Sequence, residues 1–237
     1  MGAIGDNLQA VLQRIAHAAA AAGRDPGRVT LLAVSKTHPA ALVEQAIAAG
    51  QRAFGENYVQ EALEKMDALA DRKGIEWHLV GPLQSNKTRL AAARFDWVHT
   101  VESEKIARRL SGQRSGNLAP LNVLIQVNGS GEASKSGVAP AEAGALALAV
   151  SVLPRLKLRG IMAIPEPGAE RARFNEVKMI FEKLKSRFNL DTLSMGMSDD
   201  LETAIAEGST MVRIGTAIFG RREQGEKVAP PHPPVPI

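Results

Sequence analysis

The sequence contains no cysteine. That excludes disulfides, thiolate nucleophiles and cysteine-ligated metals, and it fits a reducing cytoplasm. Aromatic residues fill only 4% of the 237 positions, too few to interleave with basic residues as a base-stacking surface. The net charge of +4 is spread over scattered Lys and Arg. A nucleic-acid partner is therefore disfavoured, while a mild attraction for small anions remains. No apolar run reaches the roughly 18 residues of a membrane span. The opening segment "MGAIGDNLQAVLQRIAHAAAAAG" carries Asp6, Arg14 and His17 at helical intervals. It reads as an amphipathic helix, not a signal peptide, and Asp6 stands where a myristoylation signal needs Ser or Thr. Neither GxGxxG nor GxxxxGK[ST] occurs, so no Rossmann fingerprint or P-loop is present. The five histidines form no HxxxH pair, and no zinc site is expected.

Hydrophobic residues, at 45%, suffice for a large core of Ala, Val, Leu and Ile. After the first helix, strand-like runs alternate with helical ones. "VTLLAVS", "RAFGEN", "EWHLVG", "DWVHTV", "LNVLIQVN", "LKLRGIMAI" and "DTLSMG" each precede a helix, and "TMVRIG" leads into the short "TAIFG". Runs without strict alternation suit strands covered on both faces. Eight βα units in this length predict a single α/β domain, a (β/α)8 TIM-type barrel over residues 1–225 with an extra N-terminal helix. A doubly wound open sheet is the alternative. The Pro-rich stretch 226–237, "EKVAPPHPPVPI", cannot continue a helix or an inner strand and is expected to be an extended, flexible tail.

In such a barrel the loops after the strands build the site. Lys36 closes the first strand. An amine held there against apolar walls becomes a nucleophile toward carbonyls, although a lysine in that place also reaches water by snorkelling. The loops after strands seven and eight are "SMGMS" (194–198) and "GTAIFG" (215–220). Ser194, Gly196, Gly215 and Thr216 there offer hydroxyls and backbone N–H groups at the usual phosphate position, and Gly215-Thr216 opens a short helix. Arg213 lies inside an apolar strand, where a charge is costly unless paired. It serves either a carboxylate within the barrel or a ligand atom. Lysine, phosphate cradle and strand arginine together match the needs of pyridoxal 5′-phosphate. His78 and His99 end strands three and four, and either line the site or sit as satisfied structural histidines. Asp199 and Glu202 resemble a helix capping box more than a metal site, with Gly208 as the helix stop. Lys135 reads as a solvated loop residue or as a second contact for an anion or aldehyde.

The segments "AVSKTHP", "FGENYVQEALEK", "WHLVGPLQSNK", "SKSGV", "RGIMAIPEP" and "LSMGMSDDLETAIAEGSTMVRIGTAIFGRR" resemble the pyridoxal phosphate homeostasis protein family, from about residue 8 to about residue 222. The resemblance implies a barrel like the N-terminal domain of alanine racemase that holds the cofactor as an aldimine. It places the cofactor on Lys36 and sets Arg213 against the pyridine nitrogen. Ser194, Gly215 and Thr216 hold the phosphate, with Met195 and Ile214 adjoining, and Asn57 lies near the ring. Many members carry a second lysine two residues after the first; His38 stands in that place here. The implied function is cytoplasmic buffering of pyridoxal phosphate and its delivery to apo-enzymes, by a monomer without substantial turnover. A pyridoxal-phosphate racemase is the main alternative and a cofactor-free Schiff-base lyase the other. The racemase needs a second acid/base on the far face of the cofactor, and the sole tyrosine of the chain is Tyr58.

Overall fold

Eight short strands, apolar on both faces, pair in parallel and close on one another. In the computed structural model, which describes residues 2–129, 136–166 and 168–221, they are β1 (Thr30–Val34), β2 (Ala53–Glu56), β3 (Glu76–Leu79), β4 (Trp97–Val101), β5 (Leu121–Val127), β6 (Leu156–Ala163), β7 (Thr192–Ser194) and β8 (Met211–Ile214). Each strand neighbours the next, and β8 returns to β1, matching Leu32 with Arg213 and Ala33 with Ile214. The sheet is thus a closed (β/α)8 barrel, as the alternating pattern implied. The open-sheet alternative is excluded by the β1–β8 pairing. Lys135 and the Pro-rich segment 226–237 lie outside the described residues.

Helices α2 (Ala40–Ala48), α3 (Val59–Ala68), α4 (Thr88–Arg94), α5 (Glu104–Gln113), α6 (Ala143–Ser151), α7 (Arg171–Phe188) and α8 (Leu201–Ala206) follow the strands, and the one-turn α9 (Thr216–Phe219) follows β8. Their buried faces show why these segments are helical. In α7, Phe174, Val177, Phe181 and Leu184 recur every three or four residues and are buried together. The helix stops where Asn189 turns left-handed at φ 51°. The extra helix α1 (Ala3–Ala21) buries Ile4, Leu8, Val11 and Ile15 in the same way. It docks through a hydrogen bond from Asn7 Nδ2 to Ile218 O and an ion pair between Arg14 and Glu202 of α8. No helix of the described residues is long and apolar enough to cross a membrane.

The main core lies between strands and helices. The barrel interior holds two smaller apolar clusters, one around Leu32, Val34 and Met211 and one of Trp97, Leu124 and Met162. Between them sit four buried polar residues, His78, His99, Ser194 and Arg213.

The capping box expected from Asp199 and Glu202 does not form. Helix α8 begins one residue later than that pattern requires, with Asp200 at its N-cap. Asp200 Oδ1 accepts from the Met197 N–H, upstream of the helix, and Glu202 is committed to Arg14. Asp199 is left at the mouth of the barrel. Gly208 takes φ 94° just past the helix end, the stop its position implied.

Candidate functional site

At the C-terminal mouth of the barrel, three separate stretches of chain converge on one cavity of about 310 Å³. Lys36 comes from the turn after β1, Asn57 from the residue after β2, Arg213 from β8, and Gly215 and Thr216 from the β8–α9 junction. Five of the eight residues expected to hold a cofactor therefore share one wall. The other three do not line it. Met195 and Ile214 are fully buried in the main core, beside the wall. Ser194 is fully buried beneath the cavity, and its hydroxyl is engaged with other protein groups. The "SMGMS" loop instead presents Met197 and Ser198 to the cavity, with Asp199 at the rim. His38 also lines it, stacked on Phe219 of α9 with ring centroids 5.3 Å apart. Gly215 permits the close approach of β8 to β1, since a Cβ there would lie 2.9 Å from Val34 O. With α9 only one turn long, recognition of an anion rests on local N–H, hydroxyl and cationic groups rather than on a long helix dipole.

Arg213 supplies a buried positive charge. Its Nη1 donates to Ser194 O at 2.9 Å and Ser194 Oγ at 2.8 Å, and its Nη2 donates to Ala163 O at 2.9 Å. Among the described residues no carboxylate lies within ion-pair distance, so the carboxylate partner considered for it is not found there. Burial lowers its pKa to about 10, with Asp200 pulling the other way. It remains a cation at neutral pH, positioned by neutral oxygens and facing the cavity.

The histidines lie below it. His78 Nδ1 is 2.9 Å from His99 Nε2, and His99 Nδ1 is 3.3 Å from Ser194 Oγ. Both rings are fully buried and neither lines this cavity, so they belong to the barrel interior. Burial holds both below the ordinary imidazole value, and for His99 the nearby His78 and Arg213 add to the effect. Their tautomers follow from the donors. Arginine cannot accept, so Ser194 Oγ accepts from Arg213 and turns its own proton to His99 Nδ1. His99 then carries its proton on Nε2 and donates to His78 Nδ1. The chain of bonds ends there: His78 Nε2 has no hydrogen-bond partner among the described residues, and Glu76 Oε2 lies 3.7 Å away. One polarised chain thus runs from Arg213 through the interior.

The turn that carries Lys36 has its own charged support. Ser35 N donates to Gly55 O, and Ser35 Oγ donates to Glu56 Oε1 at 2.6 Å. Lys65 Nζ donates to Ser35 O at 2.6 Å and to Glu56 Oε1 and Glu61 Oε1, each at 2.7 Å. Glu61 Oε1 also accepts from Thr37 N. Thr37 has φ 64°, a left-handed backbone that costs a non-glycine residue roughly 1–3 kcal/mol. Burial pushes the Glu56 carboxyl up, while Lys65 and Ser35 draw it down. Neither Glu56 nor Lys65 stood out in the sequence. The signal available was "FGENYVQEALEK", where Glu61 and Lys65 are four apart on the helix that follows the Glu56 strand.

The donor set fits an anionic, aldehyde-bearing ring: an amine, a buried cation, an amide, and hydroxyl and backbone donors around a cavity of matching scale. The family model described as "Alanine racemase, N-terminal domain" matches residues 7–223. The pyridoxal phosphate homeostasis protein of Pseudomonas aeruginosa is 60% identical over 227 residues, covering 95% of this chain and 98% of that protein. That of Escherichia coli is 56% identical, covering 96% and 100%. Among solved structures, PipY of Synechococcus elongatus with pyridoxal phosphate bound superposes with a TM-score of 0.79 at 38% identity, over 92% of this chain and all of that one. Alanine racemase of Clostridium difficile, at 15% identity and a TM-score of 0.73, covers 91% of this chain and 57% of its own and shares the barrel. By sequence, fold and the layout of its cavity, the chain belongs to the alanine racemase N-terminal domain family and, within it, to the pyridoxal phosphate homeostasis proteins.

Proposed function

We propose that this protein holds pyridoxal 5′-phosphate covalently on Lys36 and serves intracellular pyridoxal phosphate homeostasis, storing the cofactor and passing it to apo-enzymes without substantial turnover. The observation that carries this reading is the convergence of Lys36, Asn57, Arg213, Gly215 and Thr216 on one cavity, in a chain similar to a protein solved with pyridoxal phosphate bound. Lys36 Nζ would hold the cofactor through its aldehyde carbon, with the carbonyl oxygen leaving as water. When bound, the cofactor supplies that aldehyde and an electron-withdrawing ring. Arg213 would face the ring nitrogen and would keep its own proton, so the nitrogen would stay unprotonated and the ring would be a poor electron sink. Gly215, Thr216 and Ser198 are the groups of this wall that suit the phosphate. Ser194 acts one step back, by orienting Arg213. Met195 and Ile214 support the wall from the core, and Asn57 borders the ring.

The chemistry of the site supports a carrier over a racemase. Two-base racemisation needs an acid/base opposite Lys36. Tyr58 is 58% exposed, precedes α3 and lines no part of the cavity. Reduction of the purified protein with borohydride, followed by peptide mapping, tests the reading. The expected result is a visible absorption band that disappears on reduction, with one pyridoxyl label on Lys36. A protein that stays colourless with added pyridoxal phosphate, or a label elsewhere, overturns the Lys36 assignment. Steady racemisation of alanine by the loaded protein at ordinary enzyme rates overturns the carrier role.

A further inference from the structure

The residues on both sides of Lys36 are gripped by one charged cluster that does not line the cavity. Lys65 sits at its centre with a side chain 5% exposed, against Glu56 at 0% and Glu61 at 27%. The three donors of the ammonium are all spent: on the Ser35 carbonyl, on Glu56 and on Glu61. Glu56 in turn takes the Ser35 hydroxyl, and Glu61 takes the Thr37 N–H. The Ser35 carbonyl accepts a second bond, from His38 N at 3.1 Å. The backbone before and after Lys36 is therefore fixed from β2 and α3, and Thr37 is kept at φ 64°. A non-glycine residue persists in that conformation only where its surroundings over-determine it. A lone ion pair supporting a fold has no need to bond three groups flanking one lysine.

We propose that Lys65, with Glu56 and Glu61, is a positioning group for Lys36, and that this cluster sets how long the cofactor stays attached. The proposal rests on the reading of Lys36 as the attachment point. Lys36 leaves the linkage by hydrolysis, in which one water returns the C=O group and frees the Nζ amine. A turn locked from both sides keeps the amine beside the cavity and favours recapture over departure. Loosening it favours release.

Three proteins decide the matter: wild type, Lys65→Met, and the milder Glu61→Gln, which removes one carboxylate charge at a partly exposed side chain. Release is followed as decay of the visible band when the loaded protein is mixed with an apo pyridoxal-phosphate enzyme as acceptor. In parallel, amide hydrogen exchange at Thr37 and His38 is measured on cofactor-free protein. Both variants are expected to release the cofactor faster, by about tenfold to about a hundredfold for an amine displaced by the order of 1 Å. Exchange at Thr37 should accelerate in both. Lys65→Arg, which keeps the charge, should recover part of both effects. Variants that lose thermal stability yet release and exchange like wild type overturn the proposal and leave the cluster a fold element. If Lys65→Met fails to fold, Glu61→Gln still decides. If wild type is labelled at a residue other than Lys36, the attachment reading fails, while the Thr37 exchange still tests whether the cluster holds the turn.

Discussion

Arg213 Nη1 donates to both the carbonyl and the hydroxyl of Ser194, at 2.9 and 2.8 Å. The pairing makes Ser194 an anchor of the guanidinium, beneath the cavity where its loop position suggested a phosphate contact. A buried guanidinium without a carboxylate partner needs neutral acceptors of fixed direction, and Ser194 supplies two of the three that Arg213 uses. It also passes the polarity on to His99. Replacing Ser194 by Ala removes the hydroxyl but keeps the carbonyl. The vacated space strands His99 Nδ1 and one guanidinium hydrogen in the barrel interior. A stability loss of about 1–3 kcal/mol is expected from leaving buried polar groups unsatisfied, read as a lower urea midpoint at unchanged slope. Because Arg213 loses orientation, affinity for pyridoxal phosphate should fall as well. Wild-type stability in Ser194→Ala would contradict the chain of bonds described above.

That chain also fixes the sign of a pH dependence. His78 and His99 are held neutral by burial, below the ordinary value. The unfolded chain protonates both near pH 6.5, about the unperturbed imidazole value. Stability from this pair is fully present above that pH. It falls as the pH drops below it, because only the unfolded state takes up the protons, and it levels off once the folded-state values are passed. Two such sites give a slope of at most about 2.7 kcal/mol per pH unit. Glu56 and Asp96, raised by burial, act with the opposite sign. The difference between wild type and His99→Gln cancels their shared contribution. Urea unfolding of the cofactor-free protein between pH 7.5 and pH 5 should therefore be steeper in wild type than in His99→Gln. Equal slopes would mean that His99 is not held neutral in the folded state.

The sequence carried the barrel because its physics is periodic. Apolar runs covered on both faces and helices with three- and four-residue spacing repeat eight times, and each repeat reinforces the others. Lys36 and Arg213 were legible for a related reason: a charge at the end or middle of an apolar run is a local anomaly. Asp199 was misread because a capping box is judged by spacing alone, and a shift of one residue in the start of α8 frees Asp199 to face the cavity. Ser194 and Ser198 lie four residues apart in one loop, and only the turn after β7 decides which of them meets the cavity. The Glu56–Lys65 pair stayed hidden because it joins a strand to the next helix, and the Glu61–Lys65 pair at helical spacing reads the same whether exposed or buried. Burial is set by the strand-to-helix geometry, which no spacing encodes.

Gly81 offers a sharp test of how the cavity wall is built. It follows β3 by one residue after Val80 and passes directly beside the backbone of Asn57. A Cβ there would lie 2.2 Å from Asn57 O and 2.6 Å from Asn57 Cα. Both are main-chain atoms, so no rotamer change relieves the clash, and the carbonyl of Gly81 is itself held by Thr100 Oγ1 at 2.9 Å. Gly81→Ala must therefore push Asn57, and with it one edge of the cavity, away from its position. Overpacking of this kind costs about 1–3 kcal/mol. Cofactor affinity should fall by more than stability alone predicts, because the displaced residue borders the site. Gly112→Ala is the matched control: it lies in α5, its added Cβ meets nothing within 4 Å, and a helical Gly→Ala change should stabilise by about 0.4–1 kcal/mol. Equilibrium unfolding of both variants, with pyridoxal phosphate titration followed by absorbance, separates the cases. A Gly81→Ala protein with wild-type stability and affinity would mean that Asn57 is free to move, and that the close approach of these two segments does not shape the site.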